Sequence, residues 1–164
     1  MSNTIGARIV LEGEKEYRQA LKEITANQKE LKSEMKLCSS EFDGQQNSLA
    51  ALTRKHEILE KQIEIQGRKV TLYTQRLEES QKAHEQAGQK VESLKVQLQT
   101  AEQDMDRLKN TTGTSAQALE QQEKTVENLK RALQGAEDDY VATGTALTNW
   151  STSINNANAD LNKM

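Results

Sequence analysis

From Tyr17 to Met164 the chain carries apolar side chains alternately three and four residues apart, in a heptad frame that never resets. One edge of this frame runs through Leu21, Ile24, Leu31, Met35, Leu49, Leu52, Leu59, Ile63, Val70, Leu77, Val91, Leu94, Leu98, Leu108, Val126, Leu129, Leu133, Trp150, Ile154 and Leu161. The polar residues that interrupt it are Gln28, Gln45, His56, Gln66, Ser80, His84, Thr112, Ser115, Gln122 and Thr143. Off this seam, apolar residues are few and mostly alanine. A narrow apolar stripe repeating every 3.5 residues is the pattern of coiled-coil helices. It predicts an all-α chain of long, extended coiled-coil helices over 17–164.

Composition supports that reading. Only 34% of residues are hydrophobic and 3% aromatic, while 29% are charged. Such a chain cannot fill a thick globular interior, which ordinarily draws on about 45–50% apolar residues. There is no proline, so nothing covalent stops a helix from running on. Continuous helix over 17–164 would extend about 220 Å at ~1.5 Å per residue.

Two stretches test that continuity. "EFDGQQNS" surrounds Gly44, and "KNTTGTS" surrounds Gly113. The frame crosses both, whereas a loop of arbitrary length would preserve it only about one time in seven. Each glycine costs a helix about 1 kcal/mol relative to alanine, which weakens it without forbidding it. The predicted organisation is an arm at 1–13, a long helix at 14–108 with a weak point at 43–47, a hinge at 109–116 and a second helix at 117–164. Straight helix is favoured at the hinge, with a hairpin as the alternative.

The arm differs from the rest. Ile5, Ala7, Ile9 and Leu11 alternate with other residues at the period of a strand. A lone strand needs a partner, so it pairs with another copy, pairs with another protein, or remains a free arm. Gly13 followed by Glu14 and Glu16 offers a helix start, with acids where the helix dipole favours them. A fainter pattern relates 70–108 to 126–164 at an offset of 56 residues, pairing Val70 with Val126, Gly88 with Gly144 and Leu94 with Trp150. It reads either as a duplication or as the common seam of one coiled coil.

A stripe this narrow cannot be buried by the helix that bears it. Self-association through the seam is therefore expected. Small residues beside the seam favour three or more helices over two. A net charge of −3 gives no basic excess for nucleic acid, and no apolar run is long enough to span a membrane. His56 and His84 sit on the seam as polar residues that set register, or as rings of imidazole in a parallel trimer. Cys38 reads as a small buried residue. Trp150 either fills a wider bundle or anchors a partner. There is no phosphate-binding glycine loop, nucleophile elbow or zinc-protease motif. No catalytic residue, cofactor or metal site is expected, and the chain does not read as an enzyme.

The stretches "ARIVLEGEKEYRQALKEI" and "LKSEMKLCSSEFDGQQNSLAALTRKHEILEKQIEIQGRKV" resemble the amino-terminal region of tail tape-measure proteins of long-tailed bacteriophages and prophages. "ALTNWSTSINNANADLNKM" is similar to a stretch of the same region. The resemblance implies a structural protein that sets tail length and scaffolds the tail tube, with tail-tube and tail-assembly proteins as partners. It implies residence in the bacterial cytoplasm during assembly and in the virion tail interior afterwards. Members of that family are much longer, and the frame still runs at Met164, so the chain reads as an amino-terminal fragment. The rival is a cellular coiled-coil adaptor or scaffold that holds its partner through Ile5–Leu11.

Overall fold

A computed structural model describes residues 14–164. The arm at 1–13, with its strand-like Ile5–Leu11, lies outside the described residues. The described chain is all-α and contains no strand. Its helices are α1 (Glu14–Glu41), α2 (Leu49–Asn110) and α3 (Ala116–Leu161).

The ends of these helices follow from local chemistry. Glu14 and Glu16 occupy the first turn of α1, where their charge meets the positive end of the helix dipole. Ser48 caps α2: the backbone N–H of Ala51 donates to its Oγ at 3.2 Å. Ser115 caps α3 in the same way, accepting from the N–H of Ala118 at 3.1 Å. Each serine satisfies one of the amide protons that a helix start leaves without an intrahelical acceptor. Arg107 and Lys109 close α2 at its negative end.

Both weak points are complete interruptions. Gly44 has φ of +77° and Gly113 has φ of +90°, a region that side-chain-bearing residues seldom enter. Around them the backbone makes short-range turn bonds, such as Gln45 N–H to the Phe42 carbonyl at 2.9 Å. The expected straight passage through 109–116 is therefore replaced by a turn at 111–115. Threonines 111 and 114 stabilise it by donating to the carbonyls of Arg107 and Thr111, contacts of the kind that compete with helical bonding.

The chain divides into two compact units. In the unit containing Ser80–Leu147, the second half of α2 lies antiparallel to the first part of α3. Contacts at 101–122, 88–140 and 84–144 trace this direction. Its interior is thin, built on Ala87, Val91, Ala101, Val126 and Ala136. The other unit contains residues up to Glu79 and those from Thr148 onward. There α1 and α3 each run antiparallel to the first half of α2, as the 17–76 and 28–66 contacts require for α1 and the 73–150 and 66–157 contacts for α3. Leu31, Cys38 and Ile58 form its core, with Met35, Phe42 and Ile65 against them.

In this second unit the buried edge of α2 departs from the heptad frame. Ala51 and Ile58 are fully buried, whereas the seam residues Leu49, Leu52 and Ile63 are 82%, 50% and 45% exposed. The buried edge begins one residue ahead of the frame and rejoins it at Gln66, which is buried. A shift of one residue rotates a helix by about 100°, from the 3.6-residue turn. Replacing Ile58 by Ala is expected to destabilise the fold by about 2–5 kcal/mol through the cavity it leaves. Replacing Ile63 by Ala is expected to lose less than about 1 kcal/mol, as surface sites do. Urea denaturation followed by circular dichroism measures both; equal losses would contradict the shifted edge.

Candidate functional site: polar and aromatic layers

Of the remaining predicted seam residues, Ile24, Leu31, Val91 and Val126 are buried. Leu21, Met35, Leu59, Val70, Leu77, Leu94, Leu98, Leu108, Leu129, Leu133, Trp150, Ile154 and Leu161 are half-buried. What distinguishes the interior is the way its polar residues meet one another. Three layers do this.

The first joins all three helices in the unit that holds α1. Gln66 is 1% exposed. Its side-chain amide donates to the Ala157 carbonyl of α3 at 2.7 Å, and its Oε1 accepts from Gln28 of α1 at 2.6 Å. A buried amide without partners would lose about 1–3 kcal/mol. Sliding α1 or α3 by a turn would cost Gln66 one partner and sliding α2 would cost it both, so the layer holds the three helices in register. Gln28 and Gln66 are both polar seam interruptions. They find each other only because α1 and α2 are antiparallel.

The second layer, in the same unit, is aromatic. Trp150 of α3 stands edge-on to Tyr17 at 5.5 Å between centroids and lies tilted against Tyr73 at 6.0 Å. The Arg76 guanidinium sits over the Tyr17 ring at 4.5 Å and pairs with Glu79 at 2.7 Å. Arg76 is buried and Glu79 half in solvent. A flat, weakly hydrated guanidinium tolerates this position because it can stack on a ring while holding a carboxylate. Burial pushes the Tyr17 hydroxyl up to about 12. The nearby Tyr73 adds to this rise and Arg76 partly opposes it. Tyr73 is raised as well, by burial.

The third layer lies between α2 and α3 in the other unit. His84 and Tyr140 stack at 4.1 Å with 20° between their planes. His84 Nδ1 lies 2.9 Å from the Thr143 hydroxyl. The same hydroxyl lies 3.0 Å from the Asp139 carbonyl and 2.9 Å from the Tyr140 carbonyl, so when its one proton goes to either carbonyl it accepts from Nδ1–H of His84. Two glycines make room for the rings. A Cβ on Gly88 would lie 3.2 Å from the Tyr140 ring, and one on Gly144 would lie 3.4 Å from His84. The arrangement is reciprocal: the ring at 84 meets the glycine at 144, and the ring at 140 meets the glycine at 88. Both rings precede their own glycine by four residues. The offset of 56 that relates Gly88 to Gly144 also relates His84 to Tyr140. A packing reason thus accompanies the glycine match noted in the sequence.

Other singled-out residues have plainer settings. Cys38 is buried in the apolar core. His56 is largely exposed, with its Nδ1 3.5 Å from Glu60. Among the described residues, no group of His, Cys, Asp or Glu could hold a metal ion, and no helix is long and apolar enough to cross a membrane. Arg76 and Thr143 were not singled out as site residues by the seam. Their signal was their polarity near or on it.

The layers hold helices together through side-chain hydrogen bonds and ring contacts. No family model matches the chain, and neither a curated protein nor a solved structure matches it.

Two measurements probe the layers. Gly135 has open space where a Cβ would stand, so Gly135→Ala should raise stability by up to about 1 kcal/mol through helix propensity. Gly88→Ala should show no such gain, because its Cβ presses on Tyr140. Thermal melting of the two variants decides this, and equal gains would contradict the ring–glycine contact. For Tyr17, the folded state holds the proton more tightly than the unfolded chain, whose tyrosines titrate near 10. Its stabilising effect is complete below about pH 10 and lost as pH rises toward 12. Tyrosinate absorbance in wild type minus Tyr17→Phe should show the missing group titrating about two units late.

Proposed function

We propose that the chain is a non-catalytic structural protein, the amino-terminal part of a bacteriophage tail tape-measure protein. Its helices wind as coiled coils and act as scaffold and ruler for the tail tube. The support that carries this reading is the wording of "LKSEMKLCSSEFDGQQNSLAALTRKHEILEKQIEIQGRKV", together with long helices joined by side-chain layers. Self-association, tail-tube and tail-assembly partners, and a place inside the virion tail belong to the same proposal.

A ruler needs length proportional to residue number, at ~1.5 Å per helical residue. The 111–115 turn doubles part of the chain back, so α2 and α3 contribute their full length only when that turn is straight. In a phage that carries the gene, deleting residues 84–139 in frame should shorten the tail by about 80 Å, and duplicating them should lengthen it equally. Electron micrographs of tails give the result. Unchanged length in both strains would overturn the reading.

A cellular adaptor or scaffold is the second reading. One observation favours it: Leu49, Leu52 and Ile63 lie exposed along one side of α2 at the spacing a partner helix would use. Genes for tube, capsid and tip proteins on either side of this one would speak against it.

A further inference from the structure

The two turns of this chain treat the heptad frame differently. Across 42–48 the buried edge loses the frame: Ala51 and Ile58 are buried, one residue ahead of it. Across 111–115 the frame survives. Ala87, Val91 and Ala101 on one side, and Val126, Ala136 and Thr143 on the other, are buried in a single unbroken frame. A hairpin makes no such demand, since each arm can rotate independently about its axis. A straight helix does demand it, because only a continuous frame keeps one edge facing a partner along its whole length.

We infer that the 111–115 turn is a hinge that opens, so that α2 and α3 become one straight helix and two copies of the chain exchange their α3 helices. In the exchanged pair, Ala101 of one copy receives the amide of the second copy's Gln122. His84 stacks on the second copy's Tyr140, and Gly88 faces the same ring. Every contact of the closed hairpin recurs between copies. This works because the hairpin contacts are centred on the turn: 101 with 122, 88 with 140 and 84 with 144 all have midpoints between 111 and 114. The two-fold axis of the pair passes through the hinge. Exchange of an identical element through a short hinge is a low-cost route to a dimer.

The hinge residues fit both states. Gly113 sits at φ of +90° when the hinge is closed, a strain only glycine avoids. Thr112 and Ser115 are exposed in the turn. In the straight helix they take the seam positions between Leu108 and Leu119, facing the second copy. The exchange stands whether or not the chain belongs to a phage tail; for a ruler, it is the step that restores full length.

Three forms of the full chain test this in sedimentation equilibrium over a wide concentration range. Gly113→Ala strains only the closed turn, by about 1–2 kcal/mol per chain. Since two turns open per dimer, dimerisation should tighten by about thirty- to several-hundredfold, at tenfold per 1.4 kcal/mol. Inserting two glycines after Gly113 lengthens the turn harmlessly but breaks the frame of the straight helix, and should leave a monomer of unchanged helicity. In a Cys38→Ala background, Ala101→Cys with Gln122→Cys and a short bismaleimide should give chain-to-chain links in proportion to dimer. That pair also reports on the native turn sequence if Gly113→Ala is insoluble. Gly113→Ala that stays monomeric overturns the inference. So do dimers that form equally well in the insertion variant, and dimers in which the 101–122 link joins residues of one chain only.

Discussion

The apolar edge of α2 is too narrow to be covered by its own helix and too long to be left in water. Another helix must lie along it. Burial of each Leu, Ile or Val on such an edge stabilises by roughly 1.5–3 kcal/mol, and an isolated helix recovers none of it. In the described residues α3 covers part of this edge in the unit spanning Ser80–Leu147. In the other unit, α1 and the end of α3 do so. The antiparallel directions, the positions of the turns and the thinness of the interior all follow from helices laid edge to edge. The small side chains at Ala87, Ala101 and Ala136 let the backbones come close enough for the edge to be shared.

Apolar edges by themselves slide, because one Leu is much like the next. The polar layers remove that freedom. Gln66 finds acceptor and donor only when Gln28 and Ala157 are level with it. His84 finds Thr143 only where Gly88 and Gly144 admit the facing rings. Polar groups inside a coiled-coil seam commonly set register and partner number at some loss of stability. Here they act within one chain, matching polar interruption to polar interruption. Arg76 extends the principle: buried, it is accommodated by stacking on Tyr17 and by Glu79.

Contacts symmetric about a turn do not distinguish one chain from two. The ring–glycine reciprocity between 84, 88, 140 and 144 looks the same whether the two helices are joined at the near end or belong to different copies. What separates the two states energetically is the turn itself, where glycine at positive φ and a serine cap favour closure, against the entropy of bringing two molecules together. Under the proposed exchange, the chain would store length in a hairpin and release it by association, as the proposed ruler requires.

The sequence by itself determined that the protein is helical, that its helices are long, and that a single edge of each is apolar. Absence of proline, the 3.5-residue period and the abundance of Glu, Lys, Gln and Ala suffice for that, because helix formation is decided by local geometry and propensity. It also marked both weak points, since Gly44 and Gly113 are legible as breaks. Tertiary structure alone decided that those breaks are turns, and which edges meet. Straight helix and hairpin bury the same seam, so the period could not separate them. The one-residue shift at Ala51 and Ile58 was hidden for a related reason. Leu49, Leu52 and Ile63 fit the frame as well as any residue in the chain, but rotation of α2 about its own axis depends on what α1 presents to it, and that is settled only when Cys38, Leu31 and Ile58 come together across the turn.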